Sequence, residues 1–251
     1  MSVHAIIQAR MASTRLPGKV LKILNGKTLL ERVVERAKKI NGVSKLIVAT
    51  TVKDKDTPIV KLCKAIKIPY FRGSEDDVLD RFVKTAKKYR SNITLRLTAD
   101  NPFLEPVAAE KLIKRHIQNK NDYTLSFGYP LGTSCEVFNT KSLVIINKIA
   151  KDRVSHEHLG AYFLDHQNNF KIETVKADKK VNHPEIRLTI DTVKDFETAQ
   201  NILNELGNKF TLGEIINLFK NDKSIFTNRS VKQVSPTKSF KKAFSGKNPL
   251  L

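Results

Sequence analysis

Residues 9–19 read Ala9-Arg10-Met11-Ala12-Ser13-Thr14-Arg15-Leu16-Pro17-Gly18-Lys19. A polyphosphate needs concentrated positive charge, which Arg10, Arg15 and Lys19 supply within one short segment. Ser13 and Thr14 add donors, and Gly18 lets the backbone approach an anion with no side chain in the way. A basic surface loop with an ordinary Pro-Gly turn has the same composition, so the segment alone leaves both readings open. Two aspartates form a second group. Asp100, in Asp100-Asn101-Pro102, and Asp191, after Arg187-Leu188-Thr189-Ile190, each follow a strand-like run. Their hard oxygens suit Mg²⁺, which takes one or two protein carboxylates alongside phosphate oxygens and water. They suit helix caps and turns equally well.

Further candidates carry less chemistry by themselves. Ser74-Glu75-Asp76-Asp77 reads as the opening of a helix, with acids at its positive end. His156-Glu157-His158 does not have the spacing of a zinc site, because residues two apart on a helix do not share a face. Cys63 falls on the apolar face of a helix and reads as core. Nothing identifies Cys135 as a nucleophile.

The elements that must position these groups alternate. Ala5–Gln8, 46–50, 69–71 and 93–98 read as strands. Helices are expected from Thr28 to about 41, from Asp56 to about 66 and from Glu75 to about 86. Strand–helix alternation with short links predicts a mainly parallel sheet covered by helices, which presents ligands at the carboxyl ends of its strands. The second half is less regular. Helices are expected over 106–118, 140–150, 153–166, 194–206 and 211–220, and strands over 123–127, 135–138, 170–175 and 186–190. From residue 222 the chain carries seven basic side chains, one acidic one and two prolines. We therefore expect one domain over 1–221 and an extended or disordered basic tail over 222–251.

The 251 residues carry a formal charge of +20, which invites a nucleic-acid reading. Lysines dominate over arginines and are spread along the chain, and the 7% aromatics do not alternate with basic residues as a stacking platform requires. The charge therefore reads first as solubility, and nucleic acid is not the expected partner. No apolar run is long enough to span a membrane. The first residues lack the pattern of a secretory signal, and two cysteines make no disulfide framework, so a cytoplasmic protein is expected.

The run from Ile7 to Lys19 resembles the signature of the sugar-acid cytidylyltransferases, the group of the CMP-sialic acid and CMP-Kdo synthetases. Arg72-Gly73-Ser74-Glu75-Asp76-Asp77-Val78-Leu79-Asp80-Arg81-Phe82 is similar to the branch near the spore coat polysaccharide biosynthesis proteins. Blocks at Arg96–Phe103, Gly132–Phe138, Glu157–Tyr162 and Arg187–Asp191 follow in the same order, so the resemblance covers roughly residues 4–220. Ala99 and Asn101 depart from many relatives.

That resemblance implies a single nucleotide-binding α/β domain, similar to that of metal-dependent glycosyltransferases of the A type, with a small extension in the second half that often forms a homodimer. It implies Mg²⁺-dependent transfer of CMP from CTP to an acidic sugar or sugar-like acceptor, with release of pyrophosphate, for surface polysaccharide or glycoconjugate synthesis. Lys19, Arg10 and Arg15 would be catalytic, with nucleotide contacts from Ala9, Arg10, Ser13, Arg15, Lys19, Ser74 and Asp100. Asp100 and Asp191 would hold the metal, and Glu136 and His158 would contact the acceptor. The rivals are a glycosyltransferase of the same architecture, disfavoured because Asp100-Asn101-Pro102 lacks the Asp-x-Asp pair, and an RNA-binding or scaffold protein driven by charge.

Overall fold

The computed structural model describes residues 1–232. Its centre is β1 (Val3–Gln8), whose Ala5, Ile6 and Ile7 have no exposed surface. A continuous apolar run of this kind belongs to a strand covered on both faces. A minimal hairpin, β2 (Ile23–Leu24) and β3 (Lys27–Thr28), follows the basic loop and was not anticipated from the sequence. It leads into α1 (Leu29–Ala37), where Thr28 and Glu31 form a reciprocal capping box.

Next come β4 (Lys45–Thr51), α2 (Thr57–Ala65), β5 (Tyr70–Gly73), α3 (Val78–Lys88) and β6 (Ile93–Thr98). Strands β5, β4, β1 and β6 are neighbours in that order and all parallel, as the alternation predicts. The start of α3 differs from expectation. Asp77 is the residue that caps it, and Ser74 Oγ instead closes the preceding turn by accepting the Asp77 N–H.

After α4 (Pro106–Asn119) the sheet gains β7 (Tyr123–Phe127) and β8 (Glu136–Asn139), with β8 antiparallel to both β6 and β7. This register sets Glu136 directly opposite Arg96. Helix α5 (Thr140–Ile149) follows. The long helix expected over 153–166 is two short ones, α6 (Arg153–Glu157) and α7 (Ala161–Asp165). The break lets Leu159 bury completely and brings Gly160 against the Tyr123–Glu136 pair, where a Cβ would land on Tyr123 Oη and 2.7 Å from Glu136 Oε1. Strand β9 (Ile172–Lys176) completes a seven-stranded sheet in the order β5-β4-β1-β6-β8-β7-β9.

Residues 186–190 were expected as a strand of this sheet and are not one. They run extended beside Leu131, with Leu131 donating to Ile186 and Leu188 donating to Leu131 as a lone bridge. Helices α8 (Val193–Leu206) and α9 (Leu212–Asn221) then pack as a separate layer, with Leu16, Leu24, Leu29 and Phe103 in its core. The packed body continues past 221. Phe226 is buried against this layer, and Asn228 Nδ2 donates to the Arg187 carbonyl and to Asp195. Of the basic tail expected over 222–251, residues 233–251 lie outside the described residues.

His116 of α4 is buried and bonded to the Thr124 hydroxyl, and burial lowers its pKa from 6.5 to about 4. In the unfolded chain the imidazole takes up its proton near the ordinary value, whereas the folded protein resists protonation. The stabilisation is thus present above about pH 6.5 and is lost as pH falls toward 4. Denaturant unfolding at pH 7 and pH 5 is expected to differ by on the order of 1–2 kcal/mol from this group, a difference that His116→Gln removes.

Candidate active site

The basic loop leaves the carboxyl end of β1 and is pinned at both ends. The Met11 N–H donates to buried Asp56 at 2.6 Å, and the Gly18 N–H returns to the Met11 carbonyl. Gly18 turns with φ +66°, a left-handed conformation that suits glycine. The turn delivers Lys19 into the molecule, where the residue is only 9% exposed. Its ammonium group donates to Asp100 Oδ2 at 2.8 Å, to Asp191 Oδ1 at 2.9 Å and to the Ile190 carbonyl at 2.8 Å. Two carboxylates far apart in sequence therefore converge on one cation.

The convergence is built by the extended segment 186–190. The Ile190 N–H donates to the Asp100 carbonyl, and Gly132, with φ +92°, allows the two segments to touch: a Cβ there would sit 2.6 Å from the Thr189 nitrogen. Behind Asp191, Arg187 bonds both Asp191 and Asp195, and Asp195 also accepts from the Asp191 and Thr192 N–H groups. Thr98 Oγ1 holds the second oxygen of Asp100, and Arg15 reaches Asp191 at 3.2 Å.

The electrostatics follow from this packing. Burial alone pulls the Lys19 pKa down, but Asp100 and Asp191 outweigh it and hold the ammonium above its ordinary value. Burial opposes charge on Asp191 as well, yet Lys19, Arg15 and Arg187 keep that carboxyl below the usual range. Lys19 and Asp191 are therefore both charged at neutral pH.

They open onto a cleft of about 370 Å³ at the carboxyl ends of β1 and β6. Of the residues expected in the site, Arg10, Ser13, Arg15, Lys19, Asp100, Asp191 and His158 line it. Three do not. Ala9 is buried and its N–H is paired to Ala49; the Ser74 carbonyl accepts from buried Arg81. Glu136 lies behind the wall, with one oxygen accepting from Tyr123 Oη and the other from Arg96 at 2.5 Å. That carboxylate is buried and turned toward Arg96, and it is not part of the cleft lining.

The sequence leaves open whether Arg96 pairs structurally or reaches substrate, and does not single out Gln8, Thr98 or Glu157; all four line the cleft. An arginine inside the apolar run of β6 was the available signal, since a buried strand seldom carries an unpaired cation. His158 is kept below its ordinary pKa by burial and by the charge of Arg96, so at neutral pH it is an uncharged imidazole. The cleft thus has a cationic end at residues 10–19 and a mixed end at Arg96, Glu157 and His158.

Among the described residues no cluster of three or more His, Cys, Asp or Glu side chains forms a self-sufficient metal cage. Asp100 and Asp191 nevertheless supply a hard-oxygen pair at the mouth of the cleft, the donor set that suits Mg²⁺ when phosphate oxygens and water complete the shell.

Comparison with known proteins agrees with this geometry. A family profile described as cytidylyltransferase matches residues 4–229. The chain is 36% identical over 231 residues to the spore coat polysaccharide biosynthesis protein SpsF of Bacillus subtilis, covering 89% of this chain and 96% of that one. It is 40% identical over 197 residues to protein MJ1063 of Methanocaldococcus jannaschii, covering 78% and 81%. A solved cytidylyltransferase from Leptospira borgpetersenii superposes with a TM-score of 0.85 at 27% identity over 94% of this chain and 99% of that one. A CMP:2-keto-3-deoxy-manno-octonic acid synthetase solved with CTP shares the fold, with a TM-score of 0.64 at 17% identity, covering 82% and 100%.

Gly132→Ala tests how the two aspartates are brought together. The left-handed backbone and the contact with the Thr189 nitrogen are expected to cost more than about 2 kcal/mol. Denaturant unfolding measures the loss. A variant as stable as the parent would show that the 186–191 segment is placed by other contacts.

Proposed function

The chain belongs to the cytidylyltransferase family, and from that premise we propose that it transfers CMP from CTP to a hydroxyl of an acidic sugar or sugar-like acceptor. The observation that carries this reading is the Lys19 ammonium set between Asp100 and Asp191 at the mouth of a cleft walled by Arg10 and Arg15. A triphosphate laid along residues 10–19 meets three cations. Its α-phosphate then lies near Lys19, where the charge that builds during displacement is stabilised. The acceptor oxygen forms the new bond to the α-phosphorus as the bond to pyrophosphate breaks, and the hydroxyl proton leaves to water. Positioning and electrostatics suffice, and no covalent enzyme intermediate is required.

Asp100 and Asp191 would hold Mg²⁺, which when bound screens the phosphate charge and polarises the phosphoryl oxygens. Support for a metal comes from their shared position on the cleft and from a fold neighbour at 14% identity solved with manganese. The nucleotide reading is supported by the related synthetase solved with CTP.

Arg96 is the acceptor-end cation. Glu136, itself held by the Tyr123 hydroxyl, fixes one edge of its guanidinium, and its contact to Gln8 is long, at 3.4 Å. An acceptor carboxylate replaces that weak contact with a charge-assisted pair. Glu157 and neutral His158 then meet its hydroxyls. Exposed Ile145 and Ile149, one helical turn apart on α5, with Val154 of α6 beyond them, support the homodimer implied by the resemblance.

Lys19→Ala is expected to lower pyrophosphate release from CTP and a sugar acid by about 10²–10³-fold or more with the fold retained. Near-normal turnover by the folded variant would overturn the assignment. Arg96→Gln is expected to raise the acceptor KM by about tenfold or more while leaving the CTP KM within about twofold. An equal rise in both would place Arg96 on the nucleotide instead.

A further inference from the structure

A second cavity, of about 480 Å³, lies apart from the cleft between α1, the turn after β6 and the α8–α9 loop. It shares no lining residue with the cleft. Six cations face it: Lys27, Arg32, Arg36, Lys38, Lys39 and Lys209, against Glu35 as the one lining acid. Lys27 already takes Glu35. Arg36 has Glu105 at 3.4 Å, whereas Arg32 spends its donors on neutral oxygens: the Leu24 and Asn25 carbonyls and Asn208 Oδ1. Among the described residues, no ion pair is made by Lys38, Lys39 or Lys209. The carboxyl end of α1 accounts for Lys38 and Lys39 through the helix dipole. It does not account for Lys209, which arrives from a separate loop; the two buried arginines are accounted for, since Arg32 ties down the β2–β3 turn and Asn208 while Arg36 holds the Leu104 and Phe210 carbonyls.

A concave surface faced by six cations and one acid, three of those cations making no ion pair among the described residues, is the electrostatic footprint of an anionic ligand. Uncharged lining from Pro102, Leu203 and Phe210 leaves room for a moiety beside the anion. Burial also lowers the pKa of both arginines, the expected cost of enclosing cations whose donors go mostly to neutral oxygens. We propose that this basin is a second binding site for a di- or triphosphate group, carried by a nucleotide or free as pyrophosphate. The site stands apart from the catalytic reading and does not depend on it. It is mechanically tied to the cleft, because Pro102 and Phe103 in its wall follow Asp100 on the same turn, and Arg36 holds the Leu104 carbonyl.

Calorimetric titration of the full chain with pyrophosphate and with CTP tests the site. Three proteins are compared: the parent, Arg10→Ala/Arg15→Ala to weaken the cleft while leaving Lys19 between its two carboxylates, and Lys38→Glu/Lys39→Glu/Lys209→Glu to reverse the basin. The three lysines are exposed, so the last variant is expected to fold, with a small drop in melting temperature from the acids placed at the carboxyl end of α1. One equivalent of polyphosphate should survive in the cleft variant and weaken at least tenfold in the basin variant. Tighter binding of CTP identifies a nucleotide as the occupant, and tighter binding of pyrophosphate identifies the free polyphosphate. Three results overturn the proposal. The first is that the cleft variant binds neither probe more tightly than about 1 mM. The second is that lysine reversal leaves binding unchanged. The third is that a single-stranded oligoribonucleotide binds the basin more tightly than both probes.

Discussion

The Lys19 ammonium joins two carboxylates that no local structure would bring together. Asp100 ends the run of β6, and Asp191 ends an extended segment that crosses from the α8–α9 layer. Two carboxylates so close repel unless a cation lies between them, and a cation as enclosed as Lys19 is costly without both. The three groups stabilise one another as a unit. The layer of α8 and α9 is attached to the sheet partly through this unit, with Arg187, Asp195 and Asn228 extending it backward into the protein. The cleft is thereby lined by a charged but nearly balanced set of groups.

The parallel half of the sheet and its antiparallel extension do different work. β1, β4 and β6 run parallel, so their carboxyl ends lie along one edge, and the basic loop and Asp100 emerge there side by side. β8 runs against β6, which turns Glu136 toward Arg96. The parallel strands build the cationic end, and the reversal builds the mixed end. The break between α6 and α7 closes that second end, because Gly160 permits the backbone to lie on the Tyr123–Glu136 pair, while Glu157 and His158 just before it face the cleft.

The net charge of +20 is not spent in the cleft, where Arg10, Arg15, Lys19 and Arg96 meet Asp100, Asp191 and Glu157. Much of it is solvated lysine, as the even spread along the chain implies. The basin beside α1 is the exception, because its cations outnumber the acid that faces them. Five of those cations are local, within residues 27–39; the approach of the 208–210 loop to α1 adds Lys209 and walls the basin.

The sequence by itself determined the alternation of β1 to β6 with their helices, since buried parallel strands read as apolar runs and the helices carry one apolar face. It also marked the chemistry of residues 9–19, where charge, hydroxyls and glycine are local, and the resemblance of its motifs to one enzyme family. Tertiary structure decided everything that rests on distant partners. Glu136 looked available from its strand position, but the antiparallel register gave its oxygens to Arg96 and Tyr123. Residues 186–190 looked like a sheet strand because they are apolar and extended, yet pairing with Leu131 and Asp100 kept them out of the sheet. Residues beyond 221 looked like a tail by composition, and Phe226 and Asn228 became part of the body because α8 offers them an apolar surface and a buried carboxylate. Periodicity reports which face of an element is apolar; it carries no information about which distant group that face, or a lone polar side chain on it, will meet.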